Sequence, residues 1–378
     1  MGAGEPHVMS ALLDNTLDHL RVLVGYDTRN PPRAIGREGL FDYLRAPLHG
    51  FDCSLTDHGA GAISLLAVRG KPRLLFNVHL DTVPDSPQWS GNPFELRVRD
   101  GRAIGLGACD IKGAAAALLA VAEAGDGDLA LLFTTDEEGR QPRCIAEFLK
   151  TSHAYDAVVV AEPTRCEAVL AHRGIHTFEV RFAGRSGHAA GEQKADDSAV
   201  HQAVRWSTAA LDYARSQSHQ RFGGLTGLRF NIGRIEGGIK PNVIAPEAEL
   251  RFAIRLLPSM SPQKLLETLR ALDPLPSQFA QTFSGPPLPA GADFDEHGAI
   301  AEARRLAARD LADGLGLPIG NAVDFWTEAS LFSQAGHTAF VYGPGDIAQA
   351  HTADEWVSLD QLQTYAENVL RIAEAGSA

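Results

Sequence analysis

Short apolar runs punctuate the first half of the chain, each closed by turn residues. They lie at 74–80, 129–135 and 157–161 and are rich in Leu, Val and Phe. Runs of that length and composition predict strands buried on both faces, as in a parallel sheet. A fourth, Thr338-Ala339-Phe340-Val341-Tyr342, comes much later and precedes Gly343-Pro344-Gly345. Helical periodicity covers 10–25 and 113–124. The second helix begins Gly113-Ala114-Ala115-Ala116-Ala117, small residues that can approach a sheet closely, and Gly125 is placed to end it. Alternating helices and strands predict an α/β fold with a mostly parallel central sheet.

The middle of the chain has a different rhythm. His176–Phe182 predicts a strand, 195–215 a helix and Gly227–Ile235 a strand. Glu247–Arg255 alternates, with Leu250, Phe252 and Ile254 on one face. Ser261-Pro262 reads as a helix cap followed by proline, ahead of Leu265, Leu266, Leu269 and Leu272, and a weaker strand follows near 278–284. The order βαββαβ predicts a compact split-βαβ (ferredoxin-like) sandwich. It is expected as an insert over 175–286, between a first part at 1–174 and a second at 287–378. Gly174 and Gly285-Pro286-Pro287-Leu288-Pro289 would be its hinges. Helices at 295–313 and 358–375 and the strand at 338–342 would rejoin the first domain.

Length and charge narrow the field. A chain of 378 residues is long for one core, consistent with two domains. The net charge is −13 and no Lys/Arg run occurs. Nucleic acid and anionic membranes would be repelled, so neither is expected as a partner. Cys53, Cys109, Cys144 and Cys166 show no C-x-x-C spacing and read as free thiols. Met1–His7 lacks a signal-peptide pattern, and no uncharged apolar stretch reaches about 18 residues. A cytoplasmic location is expected.

The chemistry lies where the strands end. The run at 74–80 delivers His79 and Asp81, which point the same way because strand side chains repeat every two residues. The run at 129–135 leads to Asp136-Glu137-Glu138, that at 157–161 to Glu162, and that at 338–342 to His351. Open α/β sheets bind ligands at the carboxyl ends of their strands, so four strands would aim acids or histidines at one edge. Gly105-Leu106-Gly107 lacks the third glycine of a nucleotide loop, and Asp110 stands where a phosphate would sit. Asp110 could cap the alanine helix, bind a metal, or do both. Of Glu137 and Glu138, one as ligand and one as proton carrier is a natural division. Three carboxylates, two neutral imidazoles, two divalent cations and one hydroxide sum to zero charge. Mixed nitrogen and oxygen donors without thiolate suit zinc, with cobalt or manganese as tolerable substitutes.

These residues carry a resemblance. The motifs are His79-Leu80-Asp81-Thr82-Val83-Pro84, Trp89 with Pro93-Phe94, Gly107-x-x-Asp110-x-Lys112-Gly113, Thr135-Asp136-Glu137-Glu138-Gly139, Glu162-Pro163-Thr164 and His351. In that order they resemble the dinuclear zinc amidohydrolase family of acetylornithine deacetylase, succinyl-diaminopimelate desuccinylase, aminoacylase and carboxypeptidase-G-type enzymes. The resemblance implies that His79 and Glu162 hold one metal, Glu138 and His351 the other, and Asp110 bridges. It implies Glu137 as general base and Asp81 as the acid behind His79. The insert becomes a lid and dimerisation domain. His188, in Ser186-Gly187-His188-Ala189, would reach a partner subunit's site to bind the oxyanion. Asn242 and Arg255 match the substrate-carboxylate side, where a guanidinium grips a carboxylate bidentately.

Thr327-Glu328-Ala329, Gly343-Pro344-Gly345 and Gly237-Gly238-Ile239-Lys240-Pro241-Asn242 resemble the acetylornithine/N-acetylcitrulline branch most closely. The implied activity is metal-dependent hydrolysis of an N-acetyl amino acid to acetate and free amino acid, N-acetyl-L-citrulline or N-acetyl-L-ornithine, in arginine biosynthesis. Leu106 and Ile111 depart from the common arginine and methionine, and no proline follows the His188 motif, which touches specificity rather than ligation. A dipeptidase or carboxypeptidase on the same scaffold is the competing enzyme, and a metal-dependent scaffold without catalysis is the competing class.

Overall fold

The computed structural model describes residues 11–139, 142–151, 155–192, 194–290 and 298–376. Met1–His7, residue 10 of the first predicted helix and residues 295–297 of the helix expected at 295–313 lie outside them. Two compact units divide the chain. One comprises Met1–Leu170, Ala307–Gly320 and Thr327–Ala378, the other Ala171–Leu306 and Asn321–Trp326.

The first unit is built on a six-stranded sheet. In spatial order its strands are Asp52–Asp57, Ile63–Arg69, Leu129–Thr134, Leu74–His79, Ala157–Val160 and Thr338–Val341. The last four are parallel, while the first two run antiparallel to their neighbours. The parallel four coincide with the apolar runs. Every residue of Leu129–Thr134 and of Ala157–Val160 is buried, as expected of strands covered on both faces. The antiparallel pair is absent from the sequence reading. Asp52–Asp57 is polar and largely exposed, so it carries no apolar run to announce it.

Helices Ala11–Gly25, Gly113–Ala124 and Leu359–Ala375 pack together beside this sheet in one hydrophobic core. Gly113 through Ala122 are all buried, so this helix has no solvent face and its small side chains let its neighbours approach closely. Its N-cap position is Lys112, with no side-chain cap. Asp110 therefore does not cap it. Its backbone is non-helical at φ −125° and ψ 85°, and it stands two residues before that N-cap.

In the second unit, strands and helices alternate as Gly174–Ala183, Ala199–Ser216, Arg229–Gly237, Glu247–Leu256, Pro262–Arg270 and Gln278–Gly285, a βαββαβ order. The sheet runs Arg229–Gly237, Glu247–Leu256, Gly174–Ala183, Gln278–Gly285, with all neighbours antiparallel. Its alternation is strict: Phe178, Val180 and Phe182 face Leu250, Phe252 and Ile254 in one core around the fully buried Trp206. Ser261 caps Pro262–Arg270 by accepting the Lys264 amide at 3.3 Å.

Residues 287–306 and 321–326 belong to this second unit, although the sequence returns the chain to the first at 287. Two ties hold them. Trp326 Nε1 donates to Pro286 O at 3.0 Å, and the buried Arg173 pairs with Asp324 while donating to the Gly227 and Thr226 carbonyls. Among the described residues no helix is long and apolar enough to cross a membrane.

Candidate metal centre

Parallel pairing puts the ends of four strands along one edge. His79 is the last residue of its strand and sits opposite Thr134; Asn77 and Val341 both pair with Val160. Asp136-Glu137-Glu138, Glu162 and the loop toward His351 therefore leave the sheet at the same side. Glycine makes the last approach possible. A methyl group on Gly343 would stand 2.5 Å from Glu162 O, and one on Gly345, at φ +94°, 2.6 Å from Cys109 Sγ. His351 itself has φ +59°, a left-handed conformation rare for a side-chain-bearing residue.

Asp110 stands at the middle. Its Oδ1 lies 3.2 Å from His79 Nε2 and its Oδ2 3.2 Å from His351 Nε2. His79 Nε2 is 3.8 Å from Glu162 Oε1, and His351 Nε2 is 3.0 Å from Glu138 Oε1. Two groups of donor atoms result, His79–Asp110–Glu162 and Asp110–Glu138–His351, and within each the atoms all lie within 4.8 Å of one another. Asp110 is common to both.

Asp81 does more than stand behind His79. The ring Nδ1 is 3.0 Å from the Asp81 backbone oxygen and 3.5 Å from its carboxylate. That carboxylate accepts the Glu137 and Glu138 amides at 3.2 and 3.0 Å and the Asn30 side chain at 2.8 Å.

The electrostatics describe a cage short of positive charge. Burial pushes the Glu137 and Glu162 carboxyls well above the usual carboxylate range, and neighbouring acids add to this. Burial raises Glu138 as well. Asp110 goes the other way: burial opposes its charge, yet the facing imidazoles of His351 and His79 hold it low. The same contacts, with Asp110 first and Glu138 second, push His351 up to about 10. For His79 burial opposes protonation, but Asp110, Asp81 and the charges of Glu162 and Glu137 outweigh it. Asp110 Oδ1 is buried with no hydrogen-bond partner. Two imidazoles, three carboxylates and an orphaned oxygen between them fit a pair of divalent cations, which would supply the charge that protons otherwise must.

Two acids had no role in the sequence reading. Glu328 is fully buried; its Oε2 lies 3.4 Å from Thr134 Oγ1 and its Oε1 has no partner, and burial pushes it up to about 8. Glu355 is 2% exposed and accepts three backbone N–H groups. Glu355 follows His351 by four residues, the one hint in the sequence; Glu328 figured only in a branch motif.

His188, Asn242 and Arg255 belong to the second unit. Asn242 O accepts the Ala189 amide at 3.1 Å, so His188 and Asn242 share one loop cluster. His188 Nδ1 accepts the Ala190 amide at 3.1 Å, which leaves the proton of the neutral ring on Nε2. The structure does not bring Arg255 to them. It lies eight residues along the strand from Glu247, about 26 Å at the usual strand rise, with Arg173 and Asp324 as its charged neighbours.

A cage of this composition at the carboxyl edge of a mostly parallel sheet is that of a metallohydrolase. The chain belongs to peptidase family M20/M25/M40, whose family model matches residues 75–375. Over 366 residues it is 65% identical to the N-acetyl-L-citrulline deacetylase of Xanthomonas campestris pv. campestris, covering 96% of this chain and 99% of that protein. It is 30% identical over 319 residues to the acetylornithine deacetylase of Shigella sonnei, 80% of each chain. Among solved structures it is similar to aminopeptidase PepT of Bacillus cereus, with TM-score 0.69, 18% identity, and 97% and 99% of the two chains covered. A Bacillus subtilis protein described as a dinuclear metal-binding peptidase of the M20 family gives TM-score 0.63, 14% identity, and 97% and 99% coverage. At such identities the likeness is one of fold.

Proposed function

We propose that this chain hydrolyses the amide of an N-acetyl amino acid to acetate and the free amino acid, with N-acetyl-L-citrulline as the first substrate and N-acetyl-L-ornithine as the alternative. The observation that carries this reading is the 65% identity to an N-acetyl-L-citrulline deacetylase across 99% of that relative's length. An enzyme of that activity would serve arginine biosynthesis, and a cytoplasmic location goes with this reading.

His79, Asp110 and Glu162 would hold one divalent cation and Asp110, Glu138 and His351 the other, zinc by donor type and cobalt as a substitute. Held there, two divalent cations would supply charge to polarise the acetamide carbonyl and to acidify water. Glu137 takes a proton from the attacking water on its carboxylate and delivers it to the departing amide nitrogen. Its buried, proton-retaining environment suits that shuttle. The Asp81 grip on the Glu137 and Glu138 amides keeps base and ligand in register.

His188 Nε2–H donates to the oxyanion in the other subunit's site, Asn242 accompanies it, and Arg255 takes the substrate carboxylate in its own. The separation of Arg255 from Asn242 along one sheet supports dividing them between subunits. The exposed edge strand Arg229–Gly237, with Ile235 51% exposed, supports a homodimer through the lid unit.

A substrate panel tests the reading. The zinc- or cobalt-loaded protein should release acetate from N-acetyl-L-citrulline faster than from N-acetyl-L-ornithine and N-acetyl-L-methionine. Faster cleavage of dipeptides or of N-succinyl-diaminopimelate would sink it.

A further inference from the structure

The loop that carries Asp110 is shaped by one buried carboxylate. Glu355 Oε1 accepts the Cys109 and Asp110 amides at 2.9 Å each, and its Oε2 accepts the Gly107 amide at 2.9 Å. Its backbone oxygen accepts the Gly105 amide at 3.0 Å, and the next residue, Trp356, pairs with Ile104. These are charge-assisted bonds in a dry site, where each N–H left without a partner would be costly. Gly107 and Asp110 have no regular secondary structure to define them: Gly107 is left-handed at φ +77° and Asp110 is extended. Their conformation is set by what the amides bind.

Glu355 follows His351 by four residues in the same loop, and His351 and Asp110 face each other at 3.2 Å. One carboxylate thus ties together the two segments that bear the shared ligand and the exposed histidine. We propose that Glu355 is a positioning residue of the metal centre, fixing the Asp110 backbone so that its two oxygens face opposite imidazoles. The inference rests on the dinuclear reading of the site. Glu355 touches no donor atom of either group and acts through the Gly107, Cys109 and Asp110 amides. A glutamine cannot replace it, since one side of the amide would present N–H to N–H.

The test is cobalt titration of the metal-stripped protein, followed by visible absorption and by bound-metal stoichiometry, with thermal melting of each metal-free protein alongside. Wild type should take two equivalents. Glu355→Gln should weaken one or both on the order of 10–100-fold and alter the cobalt spectrum, because supporting groups of metal ligands are worth about that much. Glu355→Asp keeps the charge with a shorter reach; it should bind between the two, and it carries the test where the glutamine variant does not fold. Wild-type affinity and spectrum in the variants overturn the proposal, even with a lowered melting temperature, since that is what a mere loop brace would give. A wild type that takes up no cobalt overturns the metal-centre reading itself.

Discussion

The carboxylate of Asp81 accepts the backbone N–H of Glu138 at 3.0 Å, beyond the end of the neighbouring strand. With the Glu137 amide and Asn30 on the same carboxylate, Asp81 joins the strand end bearing His79 to the turn bearing the proposed base and a proposed ligand. Asp81→Asn would replace an acceptor with a donor facing N–H groups. The expected result is a loss of kcat of about 10–100-fold, with metal content reduced by less. Turnover within two-fold of wild type would show that the turn holds itself.

What the sequence revealed and what it concealed follow from how each feature is built. The four parallel strands were legible because burial on both faces leaves an uninterrupted apolar run. His79, Glu138, Glu162 and His351 were legible because parallel strands must end at one edge. Asp52–Asp57 was hidden because an exposed edge strand needs no apolar signal. The cap reading of Asp110 failed because the helix begins at Gly113, which makes Lys112 rather than Asp110 its N-cap residue. The contacts of Glu355 and Asp81 with backbone amides were hidden for another reason. Their partners are backbone N–H groups, which every residue carries, so no side-chain pattern marks them.

Glu137 is the proposed proton carrier and is not among the residues of either donor group. Glu137→Gln preserves shape and the amide bonds to Asp81. Metal content measured by elemental analysis should stay at the wild-type level while kcat falls by roughly 10²–10⁴-fold, the range of a lost general base. A rate within a few-fold of wild type assigns the proton transfer to another group.

His176 gives a prediction about pH. Burial lowers it to about 4; its Nδ1 meets Gln281 and Ser284 at 3.0 and 3.2 Å, and its ring stacks on Phe178. In the unfolded chain a histidine titrates near 6.5. Between those values the unfolded state takes up a proton that the folded state refuses. Its contribution is therefore complete above about pH 6.5 and is lost as pH falls toward 4, at most about 3 kcal/mol in all. His176→Gln should be less stable than wild type at pH 7, by about 1–3 kcal/mol for the altered packing, and the gap should narrow by pH 4.5. Comparing the two proteins cancels the acid sensitivity of the metal ligands. A gap that stays constant across the range means that His176 titrates normally.

Whether His188 works in its own subunit or across a dimer can be read from mixed oligomers. In His188→Ala the base is intact and the donor missing; in Glu137→Ala the reverse holds. If His188 serves the other subunit, a heterodimer of the two variants holds one complete site, because the Glu137→Ala chain lends its histidine to the chain with the intact base. Equal, random mixing makes half the dimers heterodimers, each with one working site of two, so about a quarter of wild-type activity returns. If the histidine acts within its own chain, neither subunit of the heterodimer is complete and mixing restores nothing. Subunit exchange must be verified by tagging each variant differently and recovering both tags together. Copurification with no regained acetate release would then remove His188 from the oxyanion role across the interface.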